Sequence, residues 1–282
     1  MQEQYWCLQD SLKHKGFTAP FLIGQGAFCE VYRVREEATG RLYACKVGKG
    51  AKKAHVSREQ KLLKKLKYPL FPRYKGYWEE EECSFLIMEY VAGSSLEALL
   101  RRRTSLAERQ VLIILLELAE GLLYLHRRGI LFRDVKPQNL LIRQDGRVKL
   151  LDFGCACLQN EQEHVRAGTP GFAAPEQLAG EKADFSCDIY ALGKVAQYML
   201  SGVNPCLAAE AQFRKAWEKG HCKRRLRKII ERCVKENPRE RISDAYMLLR
   251  VLRPFVSEKG VNRWLEYSSI KNIWKSNYNC EG

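Results

Sequence analysis

The chain has 282 residues, of which 46% are hydrophobic and 29% charged, and this balance argues against widespread disorder. The length suits one large two-lobed domain or two small ones. Lys and Arg total 48 against 33 Asp and Glu, so the formal net charge is +15. Such a charge favours acidic partners in general. Because the basic clusters lack interleaved aromatics, we expect no specific nucleic acid as a partner.

Secretion and membrane insertion are both disfavoured. The longest purely apolar run, 111–116, is far shorter than the roughly 20 residues that a membrane span needs. The first ten residues are polar and lack the apolar segment of a secretory signal. The eleven cysteines are scattered without a C-x-x-C pair, which favours a reduced, cytoplasmic setting. Cys155 and Cys157 form a lone C-x-C and are expected to be small side chains rather than metal ligands.

The first predicted element is a hairpin within 17–34. Two extended, apolar-rich stretches flank the sequence Gly24-Gln25-Gly26. Since a strand pattern follows and no Lys-Ser/Thr pair is present, a Rossmann turn or a Walker A loop fits poorly. A turn that is glycine-rich by coincidence is the alternative to a phosphate-binding loop.

The next strand, 43–47, places Lys46 among apolar residues. A partly buried ammonium group requires a carboxylate partner. Glu59 can supply it, and we expect Glu59 to open a helix with Leu62, Leu63 and Leu66 on one face. The alternative is an exposed lysine and an unrelated surface glutamate.

A strand over 84–91 leads into Ala92-Gly93-Ser94-Ser95, which marks the expected junction between two lobes. Helices are predicted beyond this junction. The patterns Ser94-x-x-Glu97 and Ser105-x-x-Glu108 have the form of capping boxes. The second is expected to open a long amphipathic helix that runs to about His126.

The strongest chemical signal lies between residues 132 and 154. Asp134 is the candidate base for a substrate hydroxyl, and Lys136 is placed to neutralise charge on a transferred phosphoryl group. Asn139 and Asp152 offer the hard oxygen ligands that Mg²⁺ prefers.

The sequence F-R-D-V-K-P-Q-N at 132–139, followed by Asp152-Phe153-Gly154, resembles the catalytic loop and metal-binding triplet of eukaryotic-like serine/threonine protein kinases. The resemblance spans about 17–255. It implies an α+β, two-lobed fold with a small antiparallel-sheet N-lobe (about 12–91) that has one main helix, and a larger, mainly helical C-lobe (about 92–256). It also implies transfer of the γ-phosphoryl group of Mg-ATP to Ser or Thr of protein substrates, with ATP and Mg²⁺ as cofactors.

The resemblance assigns site residues as well. The implied catalytic residues are Asp134, Lys136, Lys46 and Glu59, and the implied metal ligands are Asn139 and Asp152. Lys46 would contact the nucleotide phosphates. The other implied nucleotide-binding residues are Ile23, Gly24, Gln25, Gly26, Ala27, Phe28, Val31, Ala44, Met88, Glu89, Val91, Leu141 and Asp152. Two positions depart from the family pattern: Cys29 replaces a third glycine, and Phe132 replaces the usual histidine or tyrosine and is expected to stack with Phe153, Leu63 and Tyr74.

The segment G-T-P-G-F-A-A-P-E at 168–176 resembles the peptide-docking region of these kinases. The resemblance implies three further contacts: Thr169 with Asp134 and Lys136, Glu176 with Arg241, and Asp188 with the catalytic loop.

The activation segment itself offers no phosphorylation site, because 155–167 contains no Ser, Thr or Tyr. We therefore expect activity without phosphorylation of this segment. Arg133, which pairs with a phosphate in many such kinases, is expected to be solvated or paired with Glu161 or Glu163.

Beyond residue 256 an amphipathic tail, 257–282, repeats helical spacing with Trp and Lys residues. Packing against the large lobe is the favoured interpretation, and docking to a partner or a membrane surface is the alternative.

Two other functions compete with a protein kinase. A small-molecule kinase of related fold would share the aspartate-to-asparagine spacing, but we would not expect it to carry Lys136-Pro137 or the segment 168–176. A pseudokinase scaffold would be expected to lack part of the catalytic set, all of which is present.

Protein substrates with acidic residues near the target Ser or Thr are expected from the net charge.

Overall fold

The computed structural model describes residues 2–26, 29–102, 105–162, 166–219, 222 and 224–258. The fold divides into two compact units. The first comprises the chain up to Lys67 together with Pro72–Val91, and the second comprises Tyr68–Phe71 and the chain from Ala92 onward. One unit is built on an antiparallel sheet and the other is mainly helical, so the expected two-lobed α+β class is confirmed. The predicted tail lies outside the described residues except for its first two, which belong to the last helix.

The first unit is a five-stranded antiparallel sheet with two helices. Its elements are α1 (Gln2–His14), β1 (Phe17–Gln25), β2 (Glu30–Glu36), β3 (Leu42–Lys49), α2 (Lys53–Leu63), β4 (Tyr74–Glu79) and β5 (Cys83–Glu89). The strand order is β1-β2-β3-β5-β4. Because side chains alternate along a strand, Cys45 and Val47 of β3 face an apolar cluster while Lys46 between them faces the other way.

Helix α1 was not predicted, since the N-terminal residues look merely polar. Its Leu8 and Leu12, one turn apart, are buried in the apolar cluster that includes Val34 and Phe85 of the sheet. Ser11 is held at the edge of this contact, where its hydroxyl accepts a hydrogen bond from Trp78 Nε1 at 3.2 Å. The single pair Leu8 and Leu12 is too weak a periodic signal to predict a helix, and burial against the sheet is what makes the helix stable.

Helix α2 begins earlier than expected. It starts at Lys53 and not at Glu59, and it ends at Leu63, before Leu66. Glu59 lies in its middle, on a buried stripe with Val56 and Leu63. The six residues before Glu59 contain no helix breaker, so the helix extends back to Lys53, directly after a short 3-10 turn that begins at Gly50 with a φ of +54°.

The second unit contains two small sheets and seven described helices. Its elements are β6 (Gly93–Ser95), α3 (Leu96–Arg102), α4 (Glu108–His126), β7 (Ile130–Leu131), β8 (Leu140–Arg143), β9 (Val148–Leu150), β10 (Cys157–Leu158), α5 (Pro175–Ala179), α6 (Ser186–Ser201), α7 (Glu210–Lys219), α8 (Arg224–Cys233) and α9 (Ala245–Glu258). Strands β6, β8 and β9 form one sheet, and β7 pairs with β10. Helix α4 packs against α6 and α9, and the apolar run 111–116 is buried within it. No helix in the described ranges is long and apolar enough to cross a bilayer.

The capping residues differ from those predicted. Ser94 lies in β6, and Ser95 caps α3 by accepting the Ala98 N–H at 3.1 Å. Helix α4 starts after Ala107, whose N–H donates to the Gln110 side chain at 3.1 Å, so Ser105 is not its cap. Both Ser-x-x-Glu patterns were correct about a nearby helix start and wrong about the capping residue, because the adjacent Ser95 caps α3 and the Gln110 side chain closes the start of α4.

Candidate active site

The catalytic loop leaves β7 through a strained turn that Asp188 of α6 holds in place. Arg133 has a φ of +65°, an unfavourable value for a residue with a Cβ atom. The buried Asp188 carboxylate accepts hydrogen bonds from the Phe132 N–H at 2.9 Å and the Arg133 N–H at 2.7 Å. His126 Nε2 lies 3.1 Å from the same carboxylate. The expected anchoring role of Asp188 is therefore confirmed, and the strained turn is fixed from the core.

Asp134 lies at the centre of a buried polar cluster. Lys136 Nζ is 2.7 Å from its Oδ2, and the Thr169 hydroxyl donates to its Oδ1 at 2.9 Å. Lys136 Nζ also donates to the Thr169 hydroxyl at 2.9 Å. Asn139 Nδ2 donates to the Asp134 Oδ2 and to its main-chain carbonyl, both at 3.0 Å. A hydroxyl group is thus held between a carboxylate that accepts its proton and an ammonium group that donates to its oxygen.

Asn139 and Asp152 present oxygen atoms from two neighbouring turns. Because Asn139 Nδ2 is committed to Asp134, the Asn139 oxygen is the atom suited to a metal ion. Asp152 has a φ of +66°, and its Oδ1 accepts the Gly154 N–H at 3.1 Å. Burial, together with the charges of Asp134 and Asp152, raises the pKa of the Cys155 thiol to about 11.

No cluster of three or more His, Cys, Asp or Glu side chains suited to a metal occurs in the described part of the chain. One carboxylate and one carboxamide cannot complete an Mg²⁺ coordination shell. A metal ion at Asn139 and Asp152 would therefore need further oxygen ligands from a bound molecule such as a phosphate or from water.

Lys46 and Glu59 form a buried ion pair within the first unit. Lys46 Nζ lies 2.5 Å from Glu59 Oε2, and the two residues are 5% and 1% exposed. The predicted pairing is correct, and the alternative of two unrelated surface residues is wrong. The ammonium group is fixed on β3 by a carboxylate from α2, as a lysine that orients a ligand requires.

The glycine-rich hairpin turn between β1 and β2 is closed by the Gly26 N–H, which donates to the Cys29 carbonyl at 2.9 Å. Among the described residues, a Cβ atom added at Gly24 would meet nothing closer than 3.9 Å, and one at Gly26 nothing closer than 3.8 Å. The packing of the described part of the hairpin therefore does not require glycine at either position. Ile23, Gln25 and Gly26 are exposed, whereas Ala27 and Phe28 lie outside the described residues.

The residues expected around adenine occupy both units. Ala44 and Met88 are buried and pair across β3 and β5, Val91 is also buried, and Val31 is half-buried. Leu141 belongs to β8 of the second unit and is half-buried. The Glu89 N–H donates to the Arg73 carbonyl at 2.8 Å.

Phe153 packs edge-on between two other phenylalanines of the second unit. Its ring centroid lies 5.2 Å from that of Phe132 and 5.1 Å from that of Phe71. The expected stacking of Phe132 on Phe153 is confirmed, while the contacts with Leu63 and Tyr74 stay predictions. Phe132 is thus held in place by aromatic packing.

The peptide-docking segment is tied to the core by a buried ion pair. Arg241 donates to both Glu176 oxygens, at 2.6 and 2.7 Å, which is the strong two-pronged geometry of a guanidinium and a carboxylate. Gln177, which no sequence pattern selected, donates from Nε2 to the Arg133 carbonyl at 3.0 Å. The expected pairing of Arg241 with Glu176 is confirmed.

Arg133 has a different partner from those predicted. Its Nε donates to the Cys155 carbonyl at 2.6 Å. Among the described residues no ion pair joins Arg133 to Glu161, and Glu163 lies outside them. The guanidinium thus binds the backbone at the start of the activation segment.

Comparisons with known proteins agree with this geometry. Residues 17–252 match the family model of the protein kinase domain. The chain is 35% identical over 210 residues to the citron Rho-interacting kinase of Homo sapiens, an alignment that covers 68% of this chain and 10% of that protein. It is 33% identical over 189 residues to the putative serine/threonine-protein kinase PRKY of Homo sapiens, covering 65% of this chain and 68% of the relative. It is 34% identical over 206 residues to the serine/threonine-protein kinase GE16371 of Drosophila yakuba, an alignment that covers 70% of this chain and 27% of that protein.

The aligned region therefore makes up between 10% and 68% of these three relatives. Most of this chain, in contrast, lies within the kinase match, and the match includes every described residue around Asp134. The chain belongs to the protein kinase family.

Proposed function

We propose that this protein is an active serine/threonine protein kinase that transfers the γ-phosphoryl group of Mg-ATP to protein substrates. The observation that carries this proposal is the Thr169 hydroxyl, which is held between Asp134 and Lys136 by two hydrogen bonds of 2.9 Å. A substrate Ser or Thr placed there would have its proton directed to a carboxylate and its oxygen beside an ammonium group.

The described residues fit Mg-ATP. Bound Mg-ATP supplies an electrophilic phosphorus and positive charge at the phosphates. Asp152 and the Asn139 oxygen would hold the metal, and Lys46, fixed by Glu59, would hold the phosphates. The glycines at 24 and 26, which the packing of the described residues does not require, would leave room for phosphate oxygens near the hairpin backbone. On the first unit, adenine would contact Val31, Ala44, Met88 and Val91, with the Glu89 carbonyl as an acceptor because the Glu89 N–H is bonded to the Arg73 carbonyl.

Protein rather than small-molecule substrates are supported by the segment at 168–176. The hydroxyl of Thr169, near its start, is hydrogen-bonded to Asp134 and Lys136. The carboxylate of Glu176, its last residue, is paired with the buried Arg241. A segment that is anchored at both ends in this way is expected of an enzyme that binds a peptide against it. Lys136 and the names of the relatives favour Ser or Thr over Tyr. We keep a reduced, cytoplasmic setting as a prediction.

The pseudokinase alternative is disfavoured by the side chains that are present and paired. Lys46 and Glu59 are in contact, and Asp134 is bonded to Lys136 and Asn139. An assay of the purified chain with labelled ATP and a degenerate peptide library tests activity and hydroxyl choice together.

Two substitutions test the assigned roles. We expect Asp152→Asn and Asp134→Asn each to lower peptide phosphorylation by at least about 100-fold, because one weakens metal binding and the other removes the proton acceptor. Asp145→Asn is the matched control, since Asp145 is an exposed carboxylate in the turn before β9. Near-wild-type turnover by a folded Asp152→Asn or Asp134→Asn protein would contradict the proposal.

A further inference from the structure

The first part of the activation segment is anchored without any phosphate. Strand β10 pairs with β7, and the Gln159 N–H donates to the Gly129 carbonyl at 2.8 Å. Arg133 adds its bond to the Cys155 carbonyl at 2.6 Å. These contacts use mainly backbone atoms, so they do not depend on a modification.

Gln162 completes this anchoring with its side chain. Its Nε2 donates to the Ala183 carbonyl at 2.7 Å and to the Gln159 carbonyl at 2.9 Å. Its Oε1 accepts the Ala183 N–H at 3.0 Å. The carboxamide therefore pairs with both backbone groups of Ala183 as a neighbouring peptide unit would, and each of its polar atoms is used.

We propose that Gln162 is a positioning residue that keeps the activation segment ordered for peptide phosphorylation. This inference rests on the proposed function. The carboxamide donates and accepts at once, which neither a carboxylate nor a phosphate can do at neutral pH. It carries no charge, so its bonds are independent of phosphorylation and only weakly affected by salt.

The position of Gln162 in the chain explains its effect on peptide binding. Thr169 follows seven residues later (169 − 162 = 7) and is bonded to Asp134 and Lys136. The stretch of chain between Gln162 and Thr169 is thus held at both of its ends before a peptide binds. Without the Gln162 bonds, the end of this stretch at Gln162 would have to become ordered when a peptide binds. The free-energy cost of that ordering would weaken peptide binding and would not slow the chemical step.

The sharpest test is Gln162→Glu, which keeps the size and the Oε1 acceptor but loses both donated bonds. The matched control is Asn160→Asp, which adds the same charge two residues away on an exposed side chain that makes no hydrogen bond within the described ranges. Gln162 lines a cleft of about 260 Å³ together with Lys182 and Glu176, where a new carboxylate can be hydrated, so we expect both variants to fold. Gln162→Met, which removes all three bonds, serves as a second variant.

Two readouts are combined. In Gln162→Glu we expect hydrogen exchange of the amides of residues 157–162 to quicken about tenfold, and the peptide KM to rise about five- to tenfold with kcat within about twofold. Hydrolysis of ATP without peptide and the Tm should stay near the wild-type values, as should every parameter of Asn160→Asp. Gln162→Met should behave like Gln162→Glu.

The contrary results are equally definite. Unchanged exchange or an unchanged peptide KM in Gln162→Glu and Gln162→Met would overturn the inference, as would an equal effect of Asn160→Asp. A wild-type protein, shown by intact mass to be free of phosphate, that gains peptide affinity only after phosphorylation within 152–176 would also overturn it. If the wild type phosphorylates no peptide, the proposed function fails, and the exchange measurement still decides whether Gln162 orders the segment.

Discussion

At the scale of single residues, burial decides what an ion pair contributes. The first unit contains several lysine–glutamate pairs, and two of them involve a lysine of β3: Lys46–Glu59 at 2.5 Å and Lys49–Glu30 at 2.9 Å. The first is almost fully buried, whereas the Lys49 side chain is 40% exposed. A buried charge that loses its partner cannot be rehydrated, while an exposed one can.

Lys46→Met should therefore reduce both function and stability. We expect peptide phosphorylation to become barely measurable, because the phosphates lose their lysine, and the free energy of unfolding to fall by about 3 kcal/mol, because Glu59 is left buried. Lys49→Met is the control and should cost less than about 1 kcal/mol with activity retained. Urea unfolding and the peptide assay measure the two effects. Equal losses for the two lysine variants would contradict the assignment of Lys46.

At the scale of elements, α1 shows how a segment with little helical signal becomes part of a core. It precedes the region that matches the family model, which starts at residue 17. Nevertheless its Leu12 is fully buried in the cluster behind the sheet. We infer that α1 is a structural part of the first unit, because removal of this apolar surface from water stabilises both the helix and the sheet.

The corresponding prediction concerns Leu12→Ala. Truncation of a fully buried leucine should lower the free energy of unfolding by about 2–5 kcal/mol, since a cavity replaces its side chain. Leu207→Ala, at a leucine that is 78% exposed, is the matched control and should change stability by less than about 0.5 kcal/mol. Thermal and urea unfolding measure the difference. If the two variants were equally stable, α1 would not be a packed part of the unit.

At the scale of the whole molecule, the net charge of +15 is the dominant electrostatic property. One concentration of this charge lies on α2 and the residues directly after it, where the exposed basic residues are Arg58, Lys61, Lys64, Lys65 and Lys67. A charge of this size attracts acidic peptides over a distance of about 10 Å at moderate salt and selects them by attraction rather than by a specific pocket.

We accordingly expect a Ser peptide with acidic flanks to have a lower KM than the same peptide with basic flanks. The difference should be about tenfold at low salt and should shrink as salt rises, because exposed charges are screened. A peptide with neutral flanks is the control and should show little dependence on salt. A library screen that selects Arg or Lys beside the phosphorylated residue would contradict this prediction.

The sequence alone sufficed for features whose determinants lie close together in the chain. The alternation of β3, the apolar run of α4 and the spacing from Asp134 to Asp152 each express a local rule, and the structure agrees with the predicted strand, helix and contacts around Asp134. The pairings of Lys46 with Glu59 and of Glu176 with Arg241 were also predictable, because the family resemblance specifies them across long separations.

Only the tertiary structure decided the remaining features. Gln162 is bonded to Ala183 across 21 residues, and Leu12 is buried among strands that come later in the chain. The sequence around Gln162 does not distinguish it from a solvent-exposed glutamine. The sequence around Leu12 likewise does not distinguish it from an exposed leucine. Their roles depend on which backbone groups and apolar surfaces the fold brings against them, and a hydrogen bond or an apolar contact stabilises only the groups that are in contact.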